Sequence, residues 1–219
     1  MRMPEVVVRR LPVYLRVLQD LLADGVDIVS SGELSQRTGF SSEQIRKDFA
    51  YFRAFGTRGV GYRTRALNQR LRRALGLDRG VRAVLVGVGN LGTALVRHFL
   101  GRRSQVFLVA AFDSDPSRQG LAIDGLRVLP MEQLGPVVAR EGVKVGVLTV
   151  PAGAAQKVGE ALVAAGIEAI LNFSPVKLRL DPRCHVQNID LTIELESLSY
   201  YASGARGPGR RRAPEGRGG

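Results

Sequence analysis

A glycine-rich turn between an apolar run and a helical stretch is the feature of this sequence that most restricts its fold. Residues Val81 to Val86 form a short run rich in β-branched side chains, typical of a buried strand, and residues 93–100 continue with a helical pattern. Between them lie Gly87, Val88, Gly89, Asn90, Leu91 and Gly92. In such a unit the first glycine permits a tight turn, the second admits a pyrophosphate, and the third allows close packing of helix and strand. The chain after residue 80 is therefore predicted to be an α/β dinucleotide-binding domain.

An acidic residue follows the next apolar run. Val106 to Phe112 is a second predicted strand, and it ends at Asp113. A carboxylate at this position accepts hydrogen bonds from a ribose 2'-hydroxyl and repels a 2'-phosphate, which favours NAD over NADP. The alternative interpretation is a turn residue at a strand end, given the neighbouring Asp115 and Pro116.

Two further loops are candidates for the nicotinamide side of the pocket. Residues 143–150 and 169–171 are predicted to be buried parallel strands, and each is followed by loop-forming residues. Ligands bind at the carboxyl ends of such strands. The candidates are Thr149, Pro151, Asn172, Phe173, Ser174 and Pro175. Each loop has the alternative interpretation of a simple helix-entry turn.

The first 80 residues have the pattern of a helix-turn-helix. One apolar stripe predicts a first helix that ends near Asp24 and Gly25; its members are Val8, Leu11, Leu15, Leu18 and Leu22. Ser30 or Ser31 caps a short second helix through about Arg37, and Gly39 makes the turn. Ser41 or Ser42 caps a third helix through about Phe52. Two short helices joined at a glycine are typical of DNA-binding domains.

The third helix and the segment after it supply the candidate DNA contacts. Ile45, Phe49 and Phe52 share one apolar face, so the other side is available to base edges and phosphates. The glycine-rich segment 55–62 predicts a hairpin wing with Arg58 at its tip, suited to a narrow minor groove. The candidate DNA-binding residues are Ser42, Gln44, Arg46, Lys47, Arg58 and Gly59.

The charge distribution supports this interpretation. The formal net charge is +12, and residues 1–80 hold 15 basic against 8 acidic side chains, whereas residues 81–201 hold 12 against 11. Neutralisation of phosphates supplies most nonspecific affinity for nucleic acid. The alternative is a merely solvated basic face. The asymmetry favours double-stranded DNA as a partner of the first third.

The end of the chain predicts self-association. In the final helix, Leu191 to Ala202, Leu195 and Leu198 lie on one side and Ile193 and Tyr200 on the other. A helix that is apolar on two sides is expected to be buried on both, which favours a homodimer. The arginine-rich tail 203–219 is predicted to be disordered, either as a solvated segment or as an added nonspecific attraction to DNA.

Several function classes are disfavoured. No apolar run approaches the roughly 20 residues of a membrane span, and the first ten residues lack a secretory signal, so a cytoplasmic protein is expected. The lone Cys184 and the two histidines, His98 and His185, cannot form a zinc site at ordinary spacing, and Cys184 is expected to be buried and inert. His98 lies in the helix after the glycine turn and His185 in a late loop; neither has an evident catalytic partner. Binding without turnover is favoured. The alternatives are an NAD-dependent oxidoreductase and a CoA- or nucleotide-binding interaction module.

These residues together resemble a known family. Over residues 4–201 the chain is similar to the Rex family of redox-sensing transcriptional repressors. The most specific stretches are Gln44-Ile45-Arg46-Lys47-Asp48, Phe55-Gly56-Thr57-Arg58-Gly59-Val60-Gly61-Tyr62, the loop from Gly87 to Gly92, and Leu171-Asn172-Phe173-Ser174-Pro175. The expected fold is α/β: an N-terminal winged helix-turn-helix (1–80), a Rossmann-type NAD(H)-binding domain (81–190), a dimerisation helix (191–202) and a disordered basic tail (203–219).

The resemblance implies how such a protein works. It implies a homodimer with exchanged C-terminal helices, recognition helices on an operator palindrome, and a wing whose Arg58 and Gly59 lie along the minor groove. NADH and NAD+ are implied to be effectors that are not turned over: NAD+ leaves the DNA-competent dimer populated, and NADH favours a closed dimer that releases DNA. The resemblance further implies a carboxylate at Asp190 and an arginine partner at Arg16, which would link the cofactor site to the DNA-binding domain.

One residue departs from the pattern of the family. Some members have a tyrosine where this chain has His98, and that side chain is implied to form redox-dependent hydrogen bonds in the pocket. Because a histidine changes its charge near neutral pH, we expect NADH-induced release of DNA to depend on pH. The measurement is an NADH titration of DNA binding at about pH 6 and at about pH 8; identical curves would contradict the expectation.

Overall fold

The computed structural model describes residues 3–54, 56–57, 59–101 and 105–203. The chain divides into two compact units, Met1–Val81 and Arg82–Gly219.

In its described residues, the first unit consists of four helices and a two-stranded sheet. Its elements are α1 (Glu5–Ala23), β1 (Ile28–Val29), α2 (Ser31–Thr38), α3 (Ser42–Ala50), β2 (Tyr62–Arg63) and α4 (Thr64–Ala74). Helix α1 packs against α2 and α4. Its buried residues are Val7, Leu11, Tyr14, Leu15, Leu18 and Leu21. The predicted apolar stripe was therefore wrong at both ends: Val8 is exposed and Leu22 only half-buried. The line through positions 7, 11, 14, 18 and 21 faces the core, and positions 8, 15 and 22 lie on its flank.

Local hydrogen bonds settle the ends of the two short helices. Ser30, not Ser31, caps α2: its hydroxyl accepts from the Glu33 N–H while the Glu33 carboxylate accepts from the Ser30 N–H. Gly39 ends α2 in the left-handed conformation, with φ of 76°. Ser41, not Ser42, caps α3. Helix α3 ends at Ala50, before the predicted Phe52, because the chain turns there.

A short wing follows α3. Strands β1 and β2 pair antiparallel, and the Thr57 N–H donates to the Gly61 carbonyl at 2.8 Å across the tip. A Cβ at Gly61 would lie 2.5 Å from the Val29 carbonyl oxygen, and its φ is +115°, so only glycine fits there. Phe55 and Arg58 lie outside the described residues. The antiparallel bridge between Thr57 and Gly61, on either side of Gly59, agrees with the predicted hairpin.

The second unit is a mostly parallel sheet with helices on both faces. Its elements are β3 (Val81–Val86), α5 (Asn90–Leu100), β4 (Val106–Phe112), β5 (Ala122–Ile123), β6 (Leu126–Leu129), α6 (Leu134–Glu141), β7 (Val145–Leu148), α7 (Ala152–Ala164), β8 (Ala169–Asn172), β9 (His185–Asn188) and α8 (Leu191–Ala202). The strand order is β5-β6-β4-β3-β7-β8-β9. Without the short antiparallel β5, this is the 3-2-1-4-5-6 order of a Rossmann sheet.

Alternate residues of the central strands fill two separate cores. On one face Val84, Val86 and Phe112 pack with side chains of α6 and α7. On the other face Ala83 and Leu85 pack with Val96 of α5 and other residues. This two-sided burial explains why the strands are apolar throughout rather than alternating.

Three details of the sheet differ from the sequence expectation. Strand β7 spans Val145–Leu148 rather than residues 143–150. His185 is the first residue of β9 and does not lie in a loop. The β5/β6 hairpin was not predicted. These strands have two to four residues each, too short for a periodicity to be seen.

Helix α8 presents apolar side chains on every side. All of its residues are exposed in the single chain, and its large apolar side chains range from 54% exposed at Tyr200 to 77% at Tyr201. Exposure of so much apolar surface is unfavourable in water. Within the described ranges no helix is long and apolar enough to cross a membrane.

Substitution of two leucines in α8 tests the predicted dimer. We expect L195D/L198D to be monomeric where the unsubstituted chain is dimeric, because burial of each leucine would contribute about 1.5–3 kcal/mol. Light scattering coupled to size exclusion measures the mass. The matched control is E194Q/E196Q on the same helix, which should stay dimeric; an unchanged mass for L195D/L198D would refute the role of α8.

Candidate functional site

The outer side of α3 carries two of the predicted DNA contacts. Lys47 is exposed and pairs with Glu43 one turn earlier, with 2.7 Å between Nζ and Oε1. Arg46 is also exposed, and its Nη1 donates to the Ser31 hydroxyl at 3.0 Å. Exposed pairs of this kind exchange readily with water or phosphate, since they contribute little stability. Both cationic side chains are therefore accessible to a ligand at the surface.

Two other predicted contacts face inward. The Ser42 hydroxyl donates to the Ser31 carbonyl at 3.1 Å, and Gln44 Nε2 donates to Asp48 Oδ1 at 2.8 Å. Both side chains are half-buried. In this geometry Ser42 and Gln44 hold α3 in position through hydrogen bonds within the protein and do not present free donors to a ligand. Gly59 is exposed in the wing, and Arg58 lies outside the described residues.

A buried carboxylate, that of Asp48, holds α3 against α1. The sequence analysis did not predict this structural role. Asp48 is fully buried and accepts two hydrogen bonds from Arg10, from Nε at 2.7 Å and from Nη2 at 2.8 Å. The Tyr14 hydroxyl donates to the same carboxylate at 2.7 Å. The available signal was an aspartate beside Phe49 on the apolar face of a helix, where an unpaired charge is not tolerated.

The network fixes the charge state of its members. Burial alone would raise the pKa of Asp48, but hydrogen bonds from Arg10, Tyr14 and Gln44 outweigh it and hold that pKa below its usual value. Burial and the hydrogen bond to Asp48 raise the pKa of Tyr14. At neutral pH, Asp48 is therefore ionised and Tyr14 is a neutral donor.

The three glycines of the turn after β3 have different surroundings. A Cβ on Gly87, at φ +99°, would lie 2.8 Å from the Thr149 carbonyl, and a Cβ on Gly92 would overlap the Gly87 carbonyl oxygen. A Cβ on Gly89 would meet only Arg118 Nη1, at 3.9 Å. Close packing therefore requires glycine at positions 87 and 92, whereas Gly89 leaves open space at the start of α5. That space fits a pyrophosphate.

Thr149 fastens the glycine turn to the neighbouring strand. Its hydroxyl donates toward the carbonyls of Val86, at 3.0 Å, and Gly87, at 2.7 Å. Because β3 and β7 are adjacent parallel strands on opposite sides of the point where the strand order reverses, their ends form the usual ligand crevice.

Asp113 lies at the end of β4 with its carboxylate facing the turn. Oδ2 accepts from the Val88 N–H at 2.7 Å, and Oδ1 accepts from the Asp115 N–H at 2.9 Å. Arg118 Nη1 lies 3.2 Å from Oδ2. Both the ligand interpretation and the turn interpretation of Asp113 describe part of this geometry, since the carboxylate shapes the turn and also lines the crevice.

The crevice has a volume of about 450 Å³. Eight of the predicted cofactor contacts line it: Gly87, Gly89, Asn90, Leu91, Asp113, Thr149, Pro151 and Phe173. Val88 and Gly92 are not lining residues: the Val88 N–H donates to Asp113, and Gly92 packs against Gly87. Arg118 and Met131 also line the crevice and had not been predicted. The mix of apolar walls and few polar groups is typical of a cofactor pocket.

The loop after β8 uses its polar side chains internally. Asn172 is fully buried; its Nδ2 donates to the Val176 carbonyl and to Asn188 Oδ1, each at 2.8 Å. The Ser174 N–H donates to Asn172 Oδ1, and the Ser174 hydroxyl donates to the Val150 carbonyl. Asn172 and Ser174 therefore position Phe173 at the crevice and do not line it themselves; neither does exposed Pro175.

The predicted cofactor contact His98 and the predicted switch residues Arg16 and Asp190 are not among the residues that line this crevice. His98 is exposed near the end of α5, with its ring against Phe99 at 5.7 Å between centroids. Asp190 caps α8, where its Oδ1 accepts from the Thr192 N–H at 2.9 Å. Arg16 is exposed on α1. Arg16 and Asp190 belong to different units, so their pairing stays a prediction.

Cys184 is buried, and burial raises the pKa of its thiol, which disfavours the reactive thiolate. Among the residues with described positions, no cluster of three His, Cys, Asp or Glu side chains could hold a metal ion.

A helix-turn-helix with a wing, followed by a Rossmann-type unit with open space at its second glycine, is the architecture of DNA-binding regulators that respond to a nucleotide. Residues 2–50 match the family described as "Putative DNA-binding protein N-terminus" and residues 78–176 match "CoA binding domain". The redox-sensing transcriptional repressor Rex of Natranaerobius thermophilus is 47% identical over 91% of each chain. The chain belongs to the Rex family of redox-sensing transcriptional repressors.

Solved structures of one relative, RSP, match the fold of this chain over nearly its whole length. RSP, a Rex-family repressor, superposes with a TM-score of 0.86 in its complex with β-NAD+ and operator DNA, at 35% identity and 94% coverage of each chain. Its complex with β-NADH gives a TM-score of 0.80 at 34% identity, covering 94% of this chain and 96% of RSP. The α/β class with an N-terminal DNA-binding domain is confirmed. Because the relatives are repressors, the oxidoreductase and interaction-module alternatives are set aside.

Neutralisation of Asp48 tests the carboxylate network. We expect D48N to lower the free energy of unfolding by about 2–4 kcal/mol, because Arg10 would keep its charge in a half-buried place without a partner. Thermal and urea unfolding measure this change. The control is D24N at an exposed position, expected to fall within about 0.5 kcal/mol of the unsubstituted chain. A similarly small change for D48N would contradict the network.

The ion pair between Asp48 and Arg10 also predicts that stability depends on pH. Since the pKa of Asp48 is lowered on folding, its contribution is full above the unfolded value of about 4 and is lost as pH falls through the folded value. The stability gap between the unsubstituted chain and D48N should therefore shrink between pH 7 and about pH 3. Urea unfolding at both values measures the gap; a constant gap would argue against an ionised Asp48.

Proposed function

We propose that this chain represses transcription as a cytoplasmic homodimer that binds a palindromic operator and releases it when NADH occupies the Rossmann-type unit. The observation that carries the proposal is the open cradle at Gly89 beside Asp113, on a chain whose first unit exposes Arg46 and Lys47. NADH and NAD+ act as effectors and are not turned over.

The DNA-binding half rests on α3 and the wing. Lys47 would exchange Glu43 for a phosphate or a base edge, and Arg46 would exchange the Ser31 hydroxyl for a DNA contact. Ser42 and Gln44 would keep α3 in register through their contacts with Ser31 and Asp48. A homodimer related by a two-fold axis presents two such helices, which fits a palindrome.

The cofactor-binding half rests on the crevice. The N-terminus of α5 and the space at Gly89 would hold the pyrophosphate, and Asp113 would accept from the adenosine ribose. Thr149, Pro151 and Phe173 would line the nicotinamide end. NAD+ and NADH differ there by one positive charge on the ring, a difference that an apolar wall near a carboxylate distinguishes.

Release of DNA requires two states of the dimer with different affinities for NADH. To change a 1:99 population into 99:1, the closed state must bind NADH about 10⁴-fold more tightly. Arg16 and Asp190 are the proposed link between the units. The relative RSP has been solved with β-NAD+ together with operator DNA and separately with β-NADH, which supports this assignment of the two forms.

Selection of DNA by the purified protein tests the DNA half. We expect a random duplex pool to yield one palindrome at fixed salt, and NADH to abolish its enrichment. K47A and R58A should weaken binding by about tenfold each, whereas K157A on α7 should not. Absence of any enriched sequence with or without cofactor would refute operator binding.

Substitution of the second glycine tests the cofactor half. G89A is expected to fold, because its φ of −77° is ordinary and its Cβ meets no protein atom closer than 3.9 Å. The added methyl group would fill the phosphate cradle and weaken NADH by about tenfold or more. Calorimetry measures this affinity, and G153A in open space on α7 is the matched control. If G89A binds NADH as the unsubstituted chain does, the cradle is not the phosphate site.

A further inference from the structure

An arginine that the sequence interpretation did not single out lies at the mouth of the crevice. Arg118 Nη1 is 3.2 Å from Asp113 Oδ2, and Arg118 Nε is 3.5 Å from Asp115 Oδ2. The side chain is 42% exposed, so it can turn without disturbing a core. Its Nη1 also lies 3.9 Å from the position of a Cβ on Gly89, which places the guanidinium beside the phosphate cradle.

The turn around Arg118 is built to hold the guanidinium there. Asp115 accepts from both the N–H and the hydroxyl of Ser117, and the Arg118 N–H donates to the Asp115 carbonyl. The hydrogen bonds from the Ser117 hydroxyl and N–H, together with the positive charge of Arg118, lower the pKa of Asp115, so that this carboxylate is ionised at neutral pH. Arg118 therefore faces the carboxylates of both Asp113 and Asp115.

The Asp113 carboxylate has little capacity left. A carboxylate offers about four acceptor positions, and the N–H groups of Val88 and Asp115 use two of them. Arg118 uses a third. A ribose hydroxyl can take the fourth position or displace Arg118, whereas a 2'-phosphate would meet a carboxylate and a cation already engaged.

We propose that Arg118 is a specificity-determining residue at the adenosine end, kept from binding a 2'-phosphate by its ion pair with Asp113. Asp113 thus has two roles: it accepts from a ribose 2'-hydroxyl, and it forms an ion pair with Arg118, whose guanidinium could otherwise bind a phosphate. An arginine in this place, freed of its carboxylate, is a bidentate phosphate ligand. The inference rests on the proposed dinucleotide site.

A double-mutant cycle tests the pair. NADH and NADPH are titrated calorimetrically into the full-length protein and into D113N, R118Q and D113N/R118Q at one fixed ionic strength. We expect D113N to bind NADPH about 10–100-fold more tightly than the unsubstituted chain does, the range of one charge-assisted hydrogen bond. D113N/R118Q should lose that gain. D113N is chosen because its amide oxygen can still accept from the Val88 N–H.

Two further variants keep the test decisive. D115N removes the outer carboxylate only and should give a smaller gain for NADPH that R118Q again abolishes, so it decides the question if D113N does not fold. R127Q, at an exposed position on β6, is the control and should change neither affinity. Equal NADPH affinities for D113N and D113N/R118Q, or no gain in D113N and D115N, would overturn the role of Arg118. Failure of the unsubstituted chain to bind NADH would instead refute the proposed function.

Discussion

The close approach of α5 to β3 is the constraint from which the rest of the Rossmann-type unit follows. Gly92 lies so near the Gly87 carbonyl that a methyl group would overlap it, and the Thr149 hydroxyl closes the same corner from the neighbouring strand. With helix and strand in this contact, the N–H groups at the start of α5 face the crevice and Gly89 is left open. Binding space and core packing are therefore consequences of one glycine arrangement.

Among the described residues, each unit also contains one buried carboxylate that holds neighbouring elements together. Asp48 is enclosed by Arg10, Tyr14 and Gln44 and ties α3 to α1. Asp113 ties the glycine turn to β4, but its arginine is partly exposed. Complete enclosure makes the first carboxylate a structural element, whereas partial access leaves the second open to exchange with a ligand.

The sequence predicted those features that depend on short-range chemistry. The serine caps, the turn at Gly39, the glycine loop and the position of Asp113 follow from local rules, and the α/β class with a DNA-binding first unit is confirmed. The phase of the α1 stripe, the hydrogen bond of Asn172 with Asn188 and the pairing of Asp48 with Arg10 depend on contacts distant in sequence. Patterns along one chain do not specify such contacts, and the roles of the site residues stay predictions.

Helix α8 has a consequence for how the amount of protein affects regulation. Its apolar side chains are exposed in the single chain, and a helix of 12 residues has little stability of its own in water. If α8 is completed only by a second copy, folding of this segment and association are linked, and the population of paired chains depends on their concentration. Well below the dissociation constant, pairs form in proportion to the square of that concentration. Small changes in gene dosage would then change operator occupancy more than proportionally.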